Sequence, residues 1–478
     1  MIRNPICQNS IGGYNSQNVH FVLYCWRRDK PLLTDTATAT IESVLQEYTG
    51  RAQKKELRRA ILNMLAGEGT SCPIKLELIT GERFVAYLLG SKNAQGENLS
   101  NSTYGNKRAA LHHLFRSFGQ TQSQQLKNDL KEGLSGLKRT VAIEKQRGDG
   151  RVETGKEPMS FGLYKALCKW FLDVSGSDGV FGHLYLVLSW NLACRSVNTA
   201  SIQLGHFRWA EDSFQIFFAH QKNDQTGERS SRHPRNIYPN ALDPIICPVL
   251  SVGLYMMYFP NVLSSNGPLF PGTHQYKRFS KLMNRVLRDN IEIVRRLGHD
   301  IKHVGTHSIR KGGATYASSG STAGPSAAAV SLRVGWTQGN VQDIYIKYEA
   351  AGDQYVGRLL CGLPVNSSDF ATVGPRFVLD GAAHDENTAR INVFVQSCFL
   401  SRPPENWLAI LTNCVASLLF HFDWLLDRFP NTHRIRNCYL FKSNVADLRL
   451  IAKCGQPWTD DFHGVTATGI PPHPKWNK

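Results

Sequence analysis

Apolar residues recur at helical spacing through much of this chain. The clearest runs are Leu111, Leu114, Phe115 and Phe118, then the stripe Leu126, Leu130, Leu134, Leu137 and Val141. With a shorter run over 81–89 they predict three helices between 80 and 145, the second capped by the Asn101-Ser102-Thr103 cluster. A helix is also expected over 41–65. Residues 1–45 are polar and aperiodic, with Gly12-Gly13, and read as a loosely ordered tail. Helical periodicity returns over 160–204. The segment 214–219 then reads as a strand that turns through Asn223-Asp224-Gln225-Thr226-Gly227 and comes back over 235–238 as a long-looped hairpin. Helices are expected onward to 363, interrupted at 318–325.

Punctuation divides the chain. The stretch 146–158 is rich in glycine and charge and poor in large apolar residues, as in an inter-domain linker. A second boundary is expected at 364–375. The expected organisation is therefore a tail (1–45), a helical domain (46–148), a linker (149–159), a second domain (160–365) and a C-terminal accessory region (366–478) with a disordered end. The longest apolar stretch, 407–426, is interrupted by Asn413, His421 and Asp423, so a packed helix accounts for it better than a membrane span.

Composition changes this picture only in its charge. With 478 residues, 42% hydrophobic and 19% charged, the chain has the make-up of a globular protein with several cores. Its 55 Lys+Arg exceed 38 Asp+Glu, giving +17 and a pI near 9.4, a balance that favours polyanionic partners. The 11 cysteines form no Cys-x-x-Cys pair, which gives a zinc ribbon or finger no support and suits reduced thiols. The N-terminus lacks the apolar core of a signal peptide, so an intracellular protein is expected.

The chemistry concentrates near His307 and Arg310, one helical turn apart in Thr-His-Ser-Ile-Arg-Lys-Gly-Gly, where both can face one pocket. A guanidinium fork matches two phosphate oxygens. Arg195 is embedded in an apolar run and needs an anion, either a carboxylate or a bound phosphate. Lys222 stands at the hairpin tip, and Trp336 offers one N–H. Tyr345 follows that tryptophan by nine positions and is a candidate nucleophile, with Tyr348 as its rival. Lys311, beside Arg310, is the next lysine after Lys222 to consider. Lys107, Arg108, Arg116, Lys127, Lys131, Lys138 and Arg139 give the 80–145 helices basic surfaces, suited to clamping duplex phosphates or to being solvated. Lys54, Lys55, Arg58 and Arg59 read as a solvated face or an import signal.

The order Arg195…Lys222…His307-x-x-Arg310…Trp336…Tyr345 resembles the catalytic domain of tyrosine recombinases, the phage integrase superfamily. Arg-Ser-Val-Asn at 195–198, Val-Gln-Asp-Ile-Tyr-Ile-Lys-Tyr at 341–348 and Ala-Gly-Asp-Gln-Tyr-Val-Gly-Arg at 351–358 resemble the Crypton group of eukaryotic mobile elements. The resemblance covers 160–365 by motif and 80–145 by architecture. It implies a mainly α fold with a small β-hairpin (α+β), a helical core-binding (SAM-like) domain joined to the recombinase catalytic domain. The implied activity is site-specific recombination or transposition. Tyr345 attacks the scissile phosphate to give a 3′-phosphotyrosyl link, while Arg195 and Arg310 hold the non-bridging oxygens. Lys222 protonates the leaving 5′ oxygen, His307 positions the phosphate or takes the tyrosine proton, and Trp336 stands where many members have histidine. No metal or other cofactor is implied. The implied partner is double-stranded DNA, bound by a homo-tetramer assembled on it and exchanging a helix over 349–363, in the nucleus of a eukaryotic host or otherwise the cytoplasm. Asn198 departs from the acidic residue that many members carry there. The alternative is a catalytically silent DNA-binding regulator derived from a Crypton.

Overall fold

The computed structural model describes residues 8–66, 71–93, 95–148, 155–218, 234–264, 267–336, 350–379, 384–399 and 403–455. The chain falls into two compact units, 1–154 and 155–478, and the fold is mainly helical with two small antiparallel sheets.

The first unit contains helices α1 (Gln8–Arg28), α2 (Asp35–Glu47), α3 (Gly50–Met64), α4 (Gly81–Gly90), α5 (Asn101–Ser117) and α6 (Gln124–Gln146). Side-chain oxygens of Thr34, Thr80 and Ser100 accept the N–H groups of Ala37, Arg83 and Thr103, each at 3.3 Å, and so start α2, α4 and α5. The α6 stripe is buried from Leu126 to Val141, as its spacing requires. Two expectations fail here. The segment expected as a loose tail forms α1 and most of α2, and Val19, Phe21, Val22 and Cys25 are buried. The expected 41–65 helix is two helices, parted where Tyr48 and Thr49 are extended.

The second unit is built on α7 (Phe161–Asp173) and α8 (Ser177–Asn191). Every α8 residue from Gly179 to Asn191 is buried, so this helix is the axis around which the others pack. After α9 (Ser196–Ala200), strands β1 (Phe207–Ala210), β2 (Ser213–Ile216) and β3 (Arg235–Ile237) form a sheet in chain order, with Phe214 opposite Ile237 and Ile216 opposite Arg235. The expected hairpin is therefore the β2–β3 pair; β1 was not anticipated. Then follow α10 (Pro248–Tyr258), α11 (Gln275–Asp289), α12 (Ile291–Arg296), α13 (Thr306–Ser319), α14 (Ala327–Val334) and α15 (Ala350–Leu360).

One further expectation is revised. Residues 366–455 are not a separate appendage. They carry β4 (Val373–Phe377), α16 (His384–Phe399), α17 (Leu408–Phe420), α18 (Phe422–Arg428), α19 (Tyr439–Lys442), α20 (Ala446–Ile451) and β5 (Ala452–Gly455), with β4 and β5 paired. One core runs from Met159 to Ala452 and takes in Trp407, whose indole N–H donates to Leu204 O at 2.8 Å. Helix α15, which falls in the 349–363 segment, has Val356, Leu359 and Leu360 buried. Among the described residues no single helix is long and apolar enough to cross a membrane; 407–426 is two helices bent by 71°.

Candidate active site

Close backbone packing brings the arginines together. A Cβ on Gly312 would lie 2.2 Å from Met159 O, and one on Gly313 would lie 3.2 Å from Trp190 O. Only glycine lets α13 press this closely on α8 and on the chain entering α7. Directly after α8 the chain reverses through Ala193, held at φ 44°, and Arg195 becomes the residue before α9. The reversal is fixed by Tyr185, whose hydroxyl lies 3.0 Å from Ser196 Oγ.

Arg195 and Arg310 are both half-buried and meet across this packing. Burial first, and then the Arg195 charge, push Arg310 down to about 10, with Arg235 on β3 acting in the same direction. One Arg310 Nη donates to Val334 O at 2.6 Å. Among the described residues neither Arg195 nor Arg310 forms an ion pair, and Arg195 has no side-chain hydrogen bond. Like charges held together in a place that disfavours them fit an anion, and among the described residues no carboxylate pairs with Arg195. Asn198 does not supply support either: its amide nitrogen is buried without a partner.

His307 lies in the first turn of α13, exposed and one turn before Arg310. Trp336 follows Gly335, which ends α14 in the left-handed region at φ 69°, a conformation suited to glycine; the turn leaves the indole 49% exposed. Lys311 is directed elsewhere, its ammonium donating to Lys156 O at 2.6 Å. That contact belongs to a strap in which Glu157 N donates to His303 O and Met159 N to Ser308 O. Residues 155–159, expected as linker, are thus docked along α13. Lys222, Tyr345 and Tyr348 lie outside the described residues, as does the hairpin tip.

On the first unit Arg108, Arg116, Lys127, Lys131, Lys138 and Arg139 are exposed as expected. Lys107 is a correction. It is only 5% exposed, its ammonium donates to Tyr87 Oη at 2.6 Å beside the ring, and burial pushes it down to about 8. Its place on α5 between Tyr104 and Leu111 turns it inward, so it is no surface phosphate contact.

Two features escaped sequence reasoning. The exposed face of α11 carries Lys277, Lys281, Arg285 and Arg288, and the helix begins beside α13, where Tyr276 Oη is 3.4 Å from Thr306 Oγ1. The spacing of four, four and three was readable as a basic stripe. Arg333 is wholly buried against Asp353, Nη1 to Oδ1 at 2.6 Å. Its signal was a charge inside the apolar run Val330–Val334.

Fold and site together define a mainly helical α+β protein in which Arg195 and Arg310 come together on the second unit. No protein-family model matches the chain, and no curated protein matches it. Among solved structures it is similar to XerH site-specific recombinase bound to difH substrate in a pre-cleavage complex, with 14% identity, a TM-score of 0.37, and 70% of this chain and 93% of that one covered. It is also similar to XerH bound to palindromic difH substrate in a post-cleavage complex, with 12% identity, a TM-score of 0.30 and the same coverages.

Proposed function

We propose that this chain is a tyrosine-type DNA recombinase or transposase of the Crypton-like group, acting on double-stranded DNA, in the nucleus if its host is a eukaryote and otherwise in the cytoplasm. The observation that carries the reading is the convergence of Arg195 and Arg310 without a carboxylate among the described residues. The order of Lys222, His307, Trp336 and Tyr345 along the sequence adds the chemistry. In the proposed reaction the Tyr345 oxygen forms a bond to the scissile phosphorus and the P–O5′ bond breaks. Lys222 gives the departing oxygen its proton, and His307 positions the phosphate or accepts the tyrosine proton. The two guanidiniums hold the non-bridging oxygens through the pentacoordinate state, a fixed electrostatic stabilisation that needs no metal. Because the phosphotyrosyl link keeps the phosphodiester energy, a second 5′-hydroxyl reseals the strand without ATP.

Covalent trapping tests this. The protein is incubated with nicked suicide duplexes made from DNA flanking its own gene and resolved on a denaturing gel beside Tyr345→Phe. An adduct lost in the variant supports the reading. An adduct that persists transfers the role to Tyr348. Tight, salt-sensitive binding to those duplexes with no adduct favours the silent regulator.

A further inference from the structure

Among the described residues Arg333 is the most deeply buried charge in the second unit, with a side chain 0% exposed. Its bonds reach one carboxylate and two backbone carbonyls near the arginines. Nη1 meets Asp353 on α15 at 2.6 Å, while Nη2 donates at 2.8 Å to both Asn191 O and Asn236 O. The other oxygen of Asp353 accepts from Asn236 N–H at 2.8 Å and from its side-chain amide at 2.9 Å. Asn191 closes α8, four residues before Arg195, and Asn236 follows Arg235 on β3. Val334, the next residue after Arg333, supplies the carbonyl that holds Arg310. One guanidinium thus ties the backbone ahead of Arg195 to the backbone beside Arg235, and the residue next to it supplies the carbonyl that holds Arg310.

Stability alone gives little reason for such a pair. Removing two ions from water costs more than their attraction returns unless every bond is satisfied, and apolar groups of similar size usually serve as well or better. Arg333 also leaves its Nε without a partner. What apolar packing cannot supply is direction, since a planar fork that spans two carbonyls and a carboxylate fixes distances and angles together.

We propose that Arg333, held by Asp353, is a positioning residue that sets the spacing of Arg195 and Arg310 so that both grip one phosphate. The inference rests on the phosphate-binding reading above. It assigns no contact with substrate to either residue.

The test compares the full wild-type chain with the paired Arg333→Met/Asp353→Leu variant, with Arg333→Lys, and with Arg195→Ala as the site control. Inorganic phosphate affinity is read by calorimetry, folding by thermal dichroism, and linkage to a nicked duplex under single turnover. The paired variant is expected to melt cooperatively near wild type, to bind phosphate about tenfold more weakly, and to link about a hundredfold more slowly. Arg333→Lys, which reaches Asp353 but lacks the fork, is expected to fold and to lose about threefold in phosphate affinity; should the paired variant not fold, this arm decides. Folded variants with unchanged phosphate affinity would overturn the proposal, as would a wild type with no Arg195-dependent phosphate binding. A wild type that binds phosphate through Arg195 yet forms no adduct refutes the recombinase reading instead, and the phosphate arm still decides the positioning role.

Discussion

Lys107 shows how far a single side chain can depart from its appearance in the sequence. Its ordinary value of 10.5 falls to about 8 because the α5 surface around it excludes water. Below pH 8 both folded and unfolded chains carry its proton, so the folded state bears the full cost of the buried charge. Between about 8 and 10.5 the unfolded chain binds more protons, so stability rises with pH across that window. Lys107→Met should therefore melt higher than wild type at pH 7, by on the order of 2 kcal/mol after allowance for partial solvation and the lost Tyr87 bond. That advantage should shrink steadily in melts taken up to pH 10.5. Arg310→Ala should slow single-turnover strand cleavage at least about a hundredfold while changing duplex affinity little. His307 and Arg310 were legible because a three-residue spacing on a helix fixes a common face. The Arg333–Asp353 pair was not, because twenty residues separate partners that meet only through tertiary packing.

At the scale of elements, α11 and α13 divide the work. The α11 stripe faces solvent, and among the described residues only Arg285 of its four cations pairs with a carboxylate, at 3.9 Å from Asp178. Lys277→Glu/Lys281→Glu should weaken duplex binding at least about tenfold and lower the slope of log affinity against log salt by about two, measured by fluorescence titration over a salt series. Helix α13 depends instead on the absence of a side chain. Gly312→Ala pushes a methyl group into Met159 O and should cost the second unit about 2–4 kcal/mol, whereas Gly105→Ala on α5, with nothing within 4 Å, should be neutral or stabilising in the same thermal melts. The stripes of α5 and α6 were readable from periodicity alone. Helix α1 was not, because its first half is small and polar and its buried face is confined to the turns holding Val19, Val22 and Cys25.

For the whole molecule, the expected boundary at 364–375 marks a change in composition but no gap in the core. Proline and glycine there serve β4, where Pro375 pairs with Cys454 across the sheet and Gly374 lies against Pro239. Apolar runs on α10 and α17 could not announce that they meet, since each reads as a helix buried by something unspecified; in the structure Gly253 packs on Cys414 and Leu418. A chain ending at 365 should therefore lack the cooperative melt of the second unit, whereas one ending at 455 should keep it, as scanning calorimetry on the two truncations would show.

Helix α15 sends Asp353 to Arg333 and Arg358 to Asp212, so it is fastened to its own chain at both ends by charges that water does not reach. Lifting it out would strand four ions at once, a toll that added salt does little to lower because screening acts on exposed charge. Copies of this protein should consequently keep their own helices over long times. Differently labelled populations, once mixed, should trade that segment slowly at any ionic strength, and an assembly formed on DNA should be held by other surfaces.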